Sequence, residues 1–108
     1  MKDYNEMSDF EINALVVEKL GVDAKIEDGR LFTSKKHDGD NVISVTTFTD
    51  YCNNPADMWP LIVENNIWIQ PDMVGDGYWH SHGEDFWAKD KSPLRAAAIV
   101  YLMIKDEK

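Results

Sequence analysis

From residue 96 to residue 104 every side chain is apolar: Ala-Ala-Ala-Ile-Val-Tyr-Leu-Met-Ile. Just ahead stand Ser92 and Pro93, a serine suited to cap a helix and a proline suited to its first position. A helix with no polar face has to be covered on all sides. This one is too short for a bilayer, which needs about 20 apolar residues. The tail, residues 92–108, is therefore predicted to supply the central core helix, with the rest of the chain wrapped round it.

The composition agrees with that plan. A chain of 108 residues fits one domain spanning 1–108, and folding hides roughly 60–70% of its extended surface. One cysteine rules out an internal disulfide framework. Residues 1–9 are polar and acidic, without a basic-then-apolar leader, so no signal peptide is expected and the chain is expected in the cytoplasm. The 20 acidic and 11 basic residues leave a net charge of −9. That balance opposes direct contact with nucleic acid phosphates. It serves solubility, or it presents an acidic face to a basic partner, in the extreme as a nucleic-acid mimic. The acids are scattered rather than blocked, which counts against mimicry.

Local signals order the remaining elements. Ser8-Asp9-Phe10-Glu11 is a capping box, and Ile12, Leu15, Val16 and Leu20 follow at helical spacing. Gly21 is placed to end that helix. Asp28-Gly29, between strand-like runs at 25–27 and 30–32, predicts a hairpin. Residues 34–41 are polar and unpatterned and read as a loop. Residues 42–48 are β-branched and read as a strand. Asn54-Pro55 predicts a second helix from 55 to about 65, with Pro60 expected to kink it or loosen its start. A short strand is expected at 67–69. A second hairpin is expected at 78–81 and 86–88, turning around 82–85. Close-set hairpins favour antiparallel pairing. The predicted class is α+β: three helices on one small, mostly antiparallel sheet, in an α/β/α sandwich.

Few residues suggest chemistry. His80 and His82 share a strand face, and with Glu84 they form the best metal-like group; Gly83 is expected to break the strand before Glu84, and a polar hairpin explains the histidines as well. Cys52 precedes a helix start, which lowers a thiol pKa, yet a free cysteine is more often a small buried hydrophobe. Glu84 with Asp85, or Asp57 with Glu64, are conceivable acid–base pairs with nothing to separate their pKa values. Arg95 is a lone cation at the wrong end of its helix dipole; an internal pair with Asp57 or Asp90 is favoured over an anion site. Trp59, Trp68, Trp79 and Trp87, with Tyr78 and Phe86, either pack the core or form a binding patch. No phosphate loop, paired-cysteine motif or nucleophile elbow is present in the sequence.

Two segments carry a family resemblance. Cys-Asn-Asn-Pro-Ala-Asp-Met-Trp-Pro-Leu-Ile-Val-Glu-Asn from residue 52 and Ser-Pro-Leu-Arg-Ala-Ala-Ala-Ile-Val-Tyr-Leu-Met from residue 92 resemble the NinX-like proteins of lambdoid phages and prophages, as does the opening Met-Ser-Asp-Phe-Glu-Ile-Asn-Ala-Leu-Val. The resemblance implies a small phage or prophage protein of the bacterial cytoplasm, and a sheet sandwiched between helices. It brings no catalytic residues. The shared segments mark Asn54, Asp57, Trp59, Pro60 and Arg95, for which packing accounts: a capped helix, a tryptophan anchor and an Arg–Asp tie between two helices. The expected function is accessory, exerted by binding a protein, with no cofactor, no membrane and no direct nucleic acid contact; Trp79 and Trp87 join the interaction candidates. A metal-dependent or ligand-binding enzyme centred on His80 and His82 is the alternative.

Overall fold

The computed structural model describes residues 3–37, 43–73 and 75–106. After a 3-10 turn at Tyr4–Glu6 come α1 (Asp9–Leu20), β1 (Ala24–Glu27), β2 (Arg30–His37), β3 (Ile43–Phe48), α2 (Pro55–Glu64), β4 (Trp68–Pro71), β5 (Trp79–Gly83), β6 (Phe86–Asp90) and α3 (Pro93–Asp106).

The helix ends lie where their caps predict. Ser8 Oγ accepts from the Glu11 amide at 3.1 Å, and Glu11 Oε1 accepts from the Ser8 amide at 3.3 Å. Gly21 closes α1 at φ +69°. Asn54 caps α2 by accepting from the Ala56 amide at 3.0 Å. The Arg95 amide donates to Ser92 Oγ at 3.2 Å, which caps α3. Pro60 does not interrupt α2. It lies on the exposed side with Ala56, whose carbonyl lacks its usual donor and is open to water.

The strands form two antiparallel sheets, β1-β2-β3 and β4-β5-β6. Asp28 and Gly29, at φ +52° and +72°, make the first hairpin turn as expected. Several strand boundaries differ from expectation. Residues 34–37 continue β2 instead of forming a loop, from Ser34 opposite Thr46 to His37 opposite Ile43. It is the pairing with β3 that makes these polar residues a strand. Residues 38–42, the rest of that expected loop and the start of the expected strand, lie outside the described residues. In the second sheet β5 runs on through His82 and Gly83, and the turn shrinks to Glu84 and Asp85. β4 runs Trp68–Pro71, one residue later in start than expected.

The α+β class, the three helices and the antiparallel pairing follow the prediction. The layer order takes its form from α3. This helix packs on β4, β5 and β6 along one side and on α1 and α2 elsewhere round its circumference. The helix is thus the filling, and the second sheet carries α3 on one face only. A helix laid on the outside of a sheet would leave its far side in water, and the apolar run from Ala96 to Ile104 has no side to spare. Ile99, Val100, Leu102 and Ile104 are all fully buried, each contributing about 1.5–3 kcal/mol.

Small residues let α3 approach the sheet. Ser81, Gly83 and Ala88 are buried on its inner face. A β-carbon on Gly83 would lie 3.0 Å from both Ile104 Cδ1 and Val100 Cγ1. The Ser81 hydroxyl is fully buried and has no hydrogen-bond partner among the described residues. An unsatisfied hydroxyl is penalised on burial. Ser81→Ala is therefore expected to raise the unfolding free energy by about 1 kcal/mol, read as a higher urea midpoint at unchanged slope.

Candidate functional site

Strand alternation gives the second sheet two unlike faces. Ile69, Ser81 and Ala88 lie in register beneath α3. The outer face has two rows: Trp68, His82 and Trp87 side by side, then Gln70, His80 and Lys89. Trp68 is 69% exposed and Trp87 57%. The His80 ring stacks between its neighbours, 5.8 Å from Trp87 at 12° and 5.8 Å from His82 at 16°.

The connection between β4 and β5 is clamped to one end of this face. His80 Nε2 lies 3.1 Å from Asp72 Oδ2. Lys89 Nζ reaches the same oxygen at 2.7 Å and Asp76 Oδ2 at 3.2 Å. The bond to Asp72, then that to Asp76, holds the Lys89 pKa above its ordinary value. At the other end a cleft of about 390 Å³ opens between the α2–β4 turn and the β5–β6 turn, lined by Asn66, Trp68, Gln70, His82, Gly83 and Glu84.

His80 and His82 share a face, as their spacing predicts, but they do not converge. Near-parallel stacked rings hold their nitrogen lone pairs side by side, not aimed at one point. Glu84 stands on the turn at φ +52°. Among the described residues no three His, Cys, Asp or Glu side chains gather in a way that could hold a metal ion.

Arg95 has a different task. It is buried and reaches five acceptors. Nη1 donates to Asp9 Oδ1 at 2.7 Å, and Nε donates to Asp90 Oδ2 at 3.0 Å. Nη2 points at the carbonyls of Tyr4 (3.3 Å), Asn5 (3.4 Å) and Met7. Burial works against its charge, yet the bonds to Asp9 and Asp90 outweigh it and raise its pKa. Asp90 was an expected partner; Asp57 is not one. The buried Asp57 carboxylate accepts instead from the Asp50 amide at 3.0 Å. The tie between helices thus runs from α3 to α1 through Asp9. Sequence offered no pointer to Asp9, 86 residues away.

One tryptophan differs from expectation. Trp59 is no internal anchor, being 61% exposed. The inner stripe of α2 is Asp57, Met58, Leu61 and Ile62, and residue 59 falls outside it. Trp79, half-buried, shares strand parity with Ser81 and Gly83, so it lies on the face opposite Trp87. Trp68, Gln70 and Lys89 complete the outer face. The signal for them was the two-residue alternation in three short strands, each matched to a small or aliphatic inner residue.

Cys52 is fully buried, 3.9 Å from the Asp9 carbonyl. Burial first, then the charge of Asp9, pushes its thiol from 9.0 up to about 12, the reverse of an activated nucleophile. Tyr51 is likewise pushed by burial, then by Asp57, from 10.0 to about 12. Both groups keep their protons longer folded than unfolded. Their contribution is complete below pH 9 and is lost as pH climbs towards 12. Urea unfolding should therefore show stability declining from about pH 9 upward, and Cys52→Ala should flatten the first part of that decline.

The remaining carboxylate pairs are not arranged as acid and base. Glu84 and Asp85 are neighbours on an exposed turn, and Asp57 and Glu64 are separated by about 10 Å along one helix.

Fold and site together define a small α+β protein built on a buried C-terminal helix that one arginine latches to the segment ahead of α1. The family model described as Bacteriophage P22, NinX matches residues 3–105, and the chain belongs to this phage family. No curated protein matches it. Among the described residues no helix is long and apolar enough to cross a membrane.

Proposed function

We propose that this phage accessory protein works in the bacterial cytoplasm by binding another protein through the outer face of its second sheet. The observation that carries the reading is the row Trp68–His82–Trp87, with both tryptophans more than half exposed. Exposed tryptophans on a rigid sheet are unusual in the absence of a partner, and tryptophan is the residue most enriched among binding hot spots. The net charge of −9 favours a basic partner and opposes nucleic acid.

The test is affinity capture from phage-infected bacterial lysate, with wild-type protein beside the Trp68→Ala/Trp87→Ala variant. Because both side chains are exposed, the variant should fold with an unchanged circular dichroism spectrum. A protein retained by wild type should be retained at least about tenfold less by the variant. Equal retention by the two would reject this face as the binding surface.

A further inference from the structure

The cleft at the open end of the outer face has the chemistry of a cation receptor. We infer that it receives an arginine side chain of the partner protein, an inference that rests on the reading above of this face as a protein-binding surface. One wall is the Trp68 indole, and the His82 ring lies beside it in register. The lining includes three residues whose side chains carry oxygen acceptors: Asn66, Gln70 and Glu84. Among the described residues neither lysine nor arginine lines it. The two tryptophans of the face are not equivalent. The Trp87 ring is already stacked on His80, whereas among the described residues no ring stacks on Trp68.

An aromatic plane beside several oxygen acceptors selects a guanidinium over the other groups a protein can present. Arginine is planar, weakly hydrated and carries five donors; it stacks on indole while its edges donate. Lysine is a strongly hydrated point charge that cannot stack. A phosphate-bearing ligand would meet Glu84 and a chain of net charge −9. The charge balance of the chain thus complements the proposed occupant.

The test uses the full chain, isotope-labelled for NMR, and acetyl-Gly-Arg-Gly-amide as probe. Lysine and citrulline versions of the peptide and adenosine monophosphate serve as comparisons. The arginine peptide is expected to move the Trp68 indole N–H and the backbone amides of Gln70, His82 and Gly83 in the millimolar range. Citrulline, the same shape without charge, is expected to bind at least about tenfold more weakly. Trp68→Leu should reduce binding by about tenfold, and Glu84→Gln should also weaken it. Both positions are exposed, so the variants should stay folded, which their spectra report directly.

No movement of those resonances by millimolar arginine peptide overturns the inference. So does an equal response to citrulline, or an equal or stronger one to adenosine monophosphate. If the peptide fails while Trp68→Ala/Trp87→Ala still abolishes capture, the arginine site falls and the protein-binding reading stands. If the peptide binds at the cleft while capture is indifferent to the tryptophans, the cleft assignment stands and the reading of the whole face falls.

Discussion

Replacing Arg95 with methionine is expected to lower the unfolding free energy by about 3–5 kcal/mol. That is a large share of the roughly 5–15 kcal/mol available to a domain of this kind. Methionine fills much of the same volume, so the loss comes from what the guanidinium leaves behind. The Asp9 and Asp90 carboxylates and the carbonyls of Tyr4, Asn5 and Met7 all point at it. Without it, two negative charges and three acceptors face a half-buried gap. Arg95→Lys should recover only a minor part, because one ammonium has three donors and no planar fork. Asp9→Asn should cost less in the Arg95→Met background than in wild type, because the two side chains act as one unit. Urea unfolding of wild type, the three single variants and the Asp9→Asn/Arg95→Met double variant measures both effects. A loss below about 1 kcal/mol for Arg95→Met, the range of an exposed pair, would show that the latch is not what joins α3 to α1.

Gly83→Val should be costly for the opposite reason. Here the space is too small. The first added carbon would lie 3.0 Å from Val100 Cγ1 and Ile104 Cδ1 and 3.3 Å from Ile67 Cγ1. Those neighbours are buried side chains of the central helix and of the residue before β4, and each must shift within the core to make room. Overpacking of this kind costs about 1–3 kcal/mol, and valine, with two methyls beyond the clash, is expected near 3 kcal/mol. Gly83→Ala should lie near 1 kcal/mol, at the low end of the same range. If valine proved neutral in urea unfolding, the close seating of α3 on β5 would be disproved.

The parts legible in the sequence are those written in local chemistry. Ser8 with Glu11, Asn54 with Pro55, and Ser92 with Pro93 name three helix starts, because a cap is decided within a few residues. Asp28-Gly29 names a turn for the same reason. The unbroken apolar run names the core helix, since no other place in a small protein hides every side of it. What sequence did not reveal depends on partners distant along the chain. Asp9 becomes the mate of Arg95 only through the folded layers. The polar residues 34–37 join a strand because β3 pairs with them, not because of any alternation of their own. The outer face was half legible: His80 and His82 were placed together, while Trp68 and Lys89 emerged only once three strands were set in register. Trp59 misled because size alone says nothing about which way a ring points.

The seating of α3 has a kinetic consequence. Helices α1 and α2 and the second sheet all rely on a surface that the ribosome makes after them. The Tyr4 carbonyl waits for Arg95 and the Tyr4 hydroxyl for Asp106, separations of 91 and 102 residues. Long-range closure of this sort slows the search for the native state. During synthesis α1, the first sheet and α2 must persist as an open, unfinished chain, and completion arrives as a single late event. A nascent polypeptide stalled before residue 93 would therefore hold caps and turns but no interior, and would depend on chaperones or be degraded.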